Sequence, residues 1–179
     1  LCFSKDRELL KTVVATTRTN IYSLIAPSTK IIYRILYMMS EIIHNLYISD
    51  KNHISFIQSD YDLIVNCTPD IPFPIICKST IRIPVYDHPS YSQKMYYAIK
   101  KTHALEYIHS HLQDGKTVLV HCHAGIQRSC SVVACYLVKY HKLTTDQAIE
   151  YIKTRRPIAF VNGVNFYNTI EAIKNTNNI

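Results

Sequence analysis

The sequence predicts a three-layer α/β domain, a central mixed sheet of about four or five strands flanked by helices. Three observations carry this. Short apolar runs rich in β-branched residues recur at Tyr61–Cys67, Ile81–Val85 and Val118–Val120. Stretches between and after them space their apolar residues as a helix does, as in Ser92–Leu112. The chain has 179 residues, 47% hydrophobic and 18% charged, the length and composition of one globular domain with a sizeable core.

Taken in order, residues 1–40 read as a mainly helical N-terminal extension. Ser4 can cap a helix that carries Leu9, Leu10, Val13 and Val14 on one side. Pro27 separates Ile21–Ala26 from Ile31–Met39, read as helix after Ser28-Thr29. An apolar helix outside a complete domain needs a surface to cover, so this extension is either a packing layer or a homodimerisation arm. Ile42–Ser49 reads as a hairpin or two short strands, and Asp50-Lys51-Asn52 as a turn. Tyr61–Cys67 is a buried strand, Thr68–Pro74 a loop, and Ile81–Val85 a strand alternating Ile81, Ile83 and Val85. Tyr86–Ser90 is a loop by composition. Ser92–Leu112 is one long helix with Met95, Ala98, Ile99, Leu105, Ile108 and Leu112 on one face, ended by Asp114-Gly115. Thr144-Thr145-Asp146-Gln147 is a capping box for a helix through Ile152, which Arg155-Arg156-Pro157 closes. Gly163–Lys174 forms the last helix.

The chemistry concentrates in Val118–Ser131, which runs strand, tight loop, helix start. Val118, Leu119 and Val120 make the strand, and Val132 to Val138 continue as a helix apolar almost all round. A loop entering a helix N-terminus aims several backbone N–H groups at one point, where the helix dipole adds positive charge. Such a nest suits a tetrahedral oxyanion, and the same field favours the thiolate of a cysteine at its head, here Cys122. The amides from His123 to Arg128 would form the cradle. The planar fork of Arg128 can hold two phosphate oxygens at once, which a lysine could not do. Gly125 lies where the backbone must turn sharply, in a chain with only 3 glycines. Ser129 can donate to the thiolate.

HCHAGIQRS resembles the HCxxGxxRS loop of cysteine-based protein phosphatases, and RSCSVVACYLV resembles their dual-specificity branch. The likeness spans residues 41–174 and is strongest at 118–138. It implies a protein-tyrosine-phosphatase-like fold, with residues 41–179 as the catalytic domain. It implies hydrolysis of phosphotyrosine and of phosphoserine or phosphothreonine in proteins through a phosphocysteine intermediate. Cys122 would be the nucleophile. Arg128 and the loop residues His123, Ala124, Gly125, Ile126 and Gln127 would bind the phosphoryl group, and Ser129 would assist thiolate departure. The family's general acid is an Asp in the loop after the Ile81–Val85 strand. Asp87 matches that place, and no other acidic residue lies between Asp70 and Glu106. His121 is expected to face inward and hydrogen-bond the loop, and His123 to stand at the pocket rim. No metal or other cofactor is implied, since contiguous His121, Cys122 and His123 point to opposite faces and cannot share one ion. Two departures stand out. Gln127 replaces the more usual Ser, and Ala159–Phe166 replaces a Pro-Asn pattern after Arg-Arg-Pro. The latter segment resembles poxvirus dual-specificity phosphatases, which implies a viral source.

The net charge of +7 suits anionic partners. Basic residues are scattered rather than massed, which argues against nucleic acid without excluding it. An RNA 5′-phosphatase using the same loop, and a non-catalytic phosphoprotein-binding domain, are the two other readings. The longest apolar run, Ile31–Met39, contains Arg34 and is too short to span a membrane, and the N-terminus does not read as a signal peptide. The 6 cysteines show no paired spacing, which fits a reducing cytoplasmic compartment and, for a virus, the host cytoplasm and the virion.

Overall fold

The computed structural model describes residues 38–54 and 61–175. The helix expected after Ser4, the Ile21–Ala26 segment and the homodimerisation arm lie outside the described residues, as does most of Ile31–Met39. The last residue of that stretch is not helical: Met39 opens the first strand.

Strand β1 (Met39–Ile43) and β2 (Leu46–Ser49) form the expected antiparallel hairpin, turned at His44-Asn45. Asn45 takes the left-handed conformation at φ 64°, which its short polar side chain tolerates better than most. The expected turn after β2 is a one-turn helix, α1 (Lys51–Ile54), whose start Asp50 caps by accepting from the His53 N–H. Strands β3 (Leu63–Asn66), β4 (Ser79–Arg82) and β5 (Val118–His121) complete a sheet of order β1-β2-β5-β3-β4. β5 runs parallel to both neighbours, with Val118 opposite Leu46 and Leu63 and His121 opposite Ser49 and Asn66. Every residue of β3 and β5 is buried, as expected for the middle of a parallel sheet. β4 stops at Arg82, short of the Val85 end expected, although Ile83 and Val85 remain fully buried beyond it.

Period-two alternation divides the strands between two cores. Leu46, Ile48, Leu63, Val65, Val118 and Val120 join the main core with the larger helices. Ile64 and Leu119 belong to a smaller core with Ile54 of α1 and Tyr61, flanked by Tyr47, Phe73 and Cys77.

The single helix expected over Ser92–Leu112 is two, α2 (Ser92–Thr102) and α3 (Ala104–Gln113). His103 sits between them in the left-handed conformation, φ 50°. The reason lies in the apolar phase. After Met95 and Ile99 the next core residues are Ala104, Leu105 and Ile108, which fall out of step with an unbroken helical repeat. The break at His103 turns both sets toward the core. Asp114-Gly115 then ends α3, with Gly115 at φ 71°.

Helix α4 (Arg128–His141) is buried from Arg128 through Val138. Helix α5 (Thr145–Arg155) carries the expected capping box, with Thr144 and Gln147 bonding each other's backbone N–H groups. Helix α6 (Tyr167–Asn175) begins later than the expected Gly163. Gly163 and Phe160 both adopt positive φ, so this stretch turns instead. Among the described residues no helix is long and apolar enough to cross a membrane.

Candidate active site

Strands β2, β3, β4 and β5 all run the same way, so their carboxyl ends share one edge of the sheet. Ligands of parallel sheets bind at that edge. Here the connection after β5 meets the segment that follows β4. Cys122 continues β5 on the Val120 side and enters the main core, 1% exposed. Its Sγ accepts from the Gly125 N–H at 3.2 Å and from the Ser129 Oγ at 3.3 Å. The sulfur also lies close to the start of α4, where the first N–H groups have no partner within the helix and the dipole is positive.

Arg128 is the first residue of α4 and is buried. Its Nη1 donates to the Val85 carbonyl at 3.3 Å, and its Nε stands 3.6 Å from Asp87 Oδ2 without forming a hydrogen bond. The guanidinium is therefore anchored at one nitrogen and leaves another available in a buried, positive site. The sequence-predicted Cys122, Arg128, Ser129 and Asp87 thus come together. The loop residues differ in what they present. His123 and Ala124 are exposed, and Ile126 is half-buried. The His123 ring meets the Lys51 ammonium at 2.9 Å on the rim, while its carbonyl accepts from the Lys51 N–H. The Gln127 side chain turns away from solvent, and its Nε2 donates to the Gly163 carbonyl at 2.6 Å.

Gly125 has a φ of +66°, and a Cβ there would stand 2.5 Å from Arg156 Nη2 and 2.8 Å from the Ser49 carbonyl oxygen. Only glycine fits a left-handed residue in such a gap. Arg156 itself is a residue that sequence reasoning read merely as the end of a helix. It is 1% exposed. Its Nε donates to the Gly125 carbonyl at 2.6 Å and its Nη1 to Ser40 Oγ at 3.1 Å, so it braces the loop from beneath. Asn165 was missed as well. Its Nδ2 donates to Asp87 Oδ1 at 2.9 Å. The signal that pointed near it was the unusual Ala159–Phe166 segment. Cys67, Cys130 and Cys135 are free, fully buried thiols, and burial pushes each of them up, so they stay protonated.

The expected hydrogen bond from His121 to the loop does not form. Alternation along β5 turns its ring to the Leu119 side of the sheet, away from the Cys122 side chain, and among the described residues neither ring nitrogen has a hydrogen-bond partner. Burial pushes the imidazole down to about 4 from 6.5, partly offset by the Cys122 backbone. The unfolded chain therefore binds a proton on this residue well above the pH at which the folded chain does. Stability is expected to fall as pH drops below about 6.5 and to level off near 4, by on the order of 3 kcal/mol. Urea unfolding at pH 7 and pH 5 checks this, a window above the range of ordinary carboxylates. In His121→Phe the loss over that window should shrink, and an unchanged slope would contradict the assignment.

The family model for the dual-specificity phosphatase catalytic domain matches residues 46–176. The 123R protein of Invertebrate iridescent virus 6, a viral relative carrying a tyrosine-phosphatase name, is 33% identical over 129 residues, covering 69% of this chain and 83% of its own length. Tyrosine-protein phosphatase vhp-1 of Caenorhabditis elegans is 34% identical over 103 residues, 55% of this chain. Dual specificity protein phosphatase 8 of Mus musculus is 29% identical over 125 residues, 66% of this chain. The chain spans only 15% and 18% of those two longer proteins. The crystal structure of human DUSP28 superposes with a TM-score of 0.69 at 19% identity, covering 79% of this chain and 96% of that one, which shows the fold. With five strands, flanking helices and the cysteine loop at the sheet's carboxyl edge, the chain belongs to the dual-specificity phosphatase family of cysteine-dependent protein phosphatases.

Proposed function

We propose that the chain hydrolyses phosphotyrosine and phosphoserine or phosphothreonine in proteins, with Cys122 as nucleophile. The observation that carries this is the convergence of the Gly125 N–H and Ser129 Oγ on Cys122 Sγ, with Arg128 and Asp87 facing each other beside it. The thiolate attacks phosphorus in line and forms a phosphocysteine as the P–O bond to the substrate breaks. Arg128 and the loop amides hold the equatorial oxygens, where charge is spread in the transition state. Asp87 gives its proton to the departing oxygen, then takes one from the water that attacks the phosphocysteine. Ser129 stabilises the thiolate as it leaves. His121 takes no direct part; its ring lies on the far face of the sheet and shapes the end of β5.

Phosphorylated proteins are the substrates that fit this reading, and the reducing cytoplasm is the compartment in which Cys122 stays a thiol. Phosphate release should be measured from phosphotyrosyl, phosphoseryl and phosphothreonyl peptides and from 5′-triphosphate RNA. Turnover of the phosphotyrosyl peptide and at least one of the others, with RNA inert, is the expected result. Release from RNA alone would move the assignment to RNA, and peptide binding without release would make the loop a reader.

A further inference from the structure

We infer that Asn165 is a positioning residue for the general acid, carried there by Gln127. The inference rests on the reading of Asp87 as that acid. The two places where the sequence departs from the family pattern, Gln127 and the Ala159–Phe166 segment, are in direct contact. Gln127 is 5% exposed and spends both ends of its amide on this segment. Its Nε2 donates to the Gly163 carbonyl at 2.6 Å, and its Oε1 accepts from the Asn165 N–H at 3.2 Å. A third link, from the Phe160 N–H to the Ile126 carbonyl at 3.0 Å, binds the same segment to the same loop. Asn165 is thus fixed by its backbone to the residue that precedes Arg128. Its side chain then reaches across to Asp87 Oδ1 at 2.9 Å.

The consequence is chemical. An amide N–H donates to an oxygen lone pair, so Oδ1 is held as the acceptor. The proton that Asp87 transfers then resides on Oδ2, the oxygen 3.6 Å from Arg128 Nε and hence the one facing the phosphoryl site. Asp87 stands on an exposed loop with its side chain one-third accessible, so little else restricts its orientation. A general acid works only within hydrogen-bond reach of the atom it protonates, and a held carboxyl loses less on reaching it.

The test is leaving-group dependence, which a merely structural role would not move. The full chain and its Asn165→Ala variant are assayed on phenyl phosphate, whose phenoxide needs a proton to leave, and on 4-nitrophenyl phosphate, whose phenoxide hardly does. Asn165→Ala should lose about tenfold or more in kcat/KM on phenyl phosphate and under about threefold on the nitro compound. Asn165→Leu keeps the approximate size and the backbone bond to Gln127 but removes the donor without adding charge, and should show the same selectivity. Asp87→Asn should show it more strongly, and adding Asn165→Ala to Asp87→Asn should cost nothing further. Equal losses on both substrates, no loss, or additivity with Asp87→Asn would overturn the inference alone. Absence of selectivity in Asp87→Asn would overturn the general-acid reading and this inference with it.

Discussion

Cys122→Ser is expected to reduce phosphate release by roughly 10⁵-fold or more, the scale on which loss of a covalent nucleophile acts. A serine hydroxyl stays protonated at neutral pH, and among the described residues the groups that bond the Cys122 sulfur are donors, not bases. The site supplies donors to the sulfur, the Gly125 N–H and Ser129 Oγ, and donors stabilise an anion without generating one. The same geometry says what the variant keeps. A serine oxygen accepts hydrogen bonds from both groups, and the change in volume at this 1% exposed position is small. Unfolding midpoints should therefore move little, and the variant should still bind phosphopeptides through Arg128 and the loop amides. Steady-state release and equilibrium binding, measured on one preparation, check both halves. Residual turnover above about one part in a thousand would assign the nucleophile elsewhere.

Arg128→Lys is expected to cost about 10²- to 10³-fold in kcat even though charge is conserved. The guanidinium uses separate nitrogens for separate tasks. Nη1 is anchored on the Val85 carbonyl, and Nε faces the site near Asp87. A lysine has one nitrogen at the end of a flexible stem. It can satisfy the carbonyl or the phosphoryl oxygens, and it offers no fork for two equatorial oxygens together. The interaction lost is greatest where charge spreads, so kcat should fall more than KM rises. A loss below about tenfold would mean that the site requires charge at this position and no particular geometry.

The active-site loop was legible because its chemistry is local. Cys122, Gly125, Arg128 and Ser129 lie within one strand-loop-helix passage, and the spacing alone brings them to one point. Asp87 lies far from them in sequence but follows an apolar strand, and a strand next to β5 delivers its carboxyl end to the same edge of the sheet. The side chains that hold these groups were hidden. Arg156 reaches Gly125 across a separation of 31 residues, and Asn165 reaches Asp87 across 78. No periodicity in the chain encodes such contacts. His121 shows the opposite error. Strand alternation places it away from the loop, but adjacency to Cys122 suggested a partnership that the pleat forbids. The break at His103 was half legible, since the slip in apolar phase after Ile99 is written in the sequence, while a histidine carries none of the usual signals of a left-handed residue.

The position of β5 has a consequence for how the protein acquires activity during folding. The strand that leads into Cys122 lies in the middle of the sheet, and both neighbours come from much earlier in the chain, with Val118 paired to Leu46 on one side and Leu63 on the other. Neither contact is local, so both loops must close before the centre of the sheet exists. Pairings so far apart in sequence slow folding, and the central strand can complete the sheet only once both loops have closed. Until that step the backbone of Cys122 has no fixed place, and Gly125 has no Ser49 or Arg156 to close against. Catalytic competence is therefore expected to arise in a single late event, with no partly active intermediate on the way to the native state.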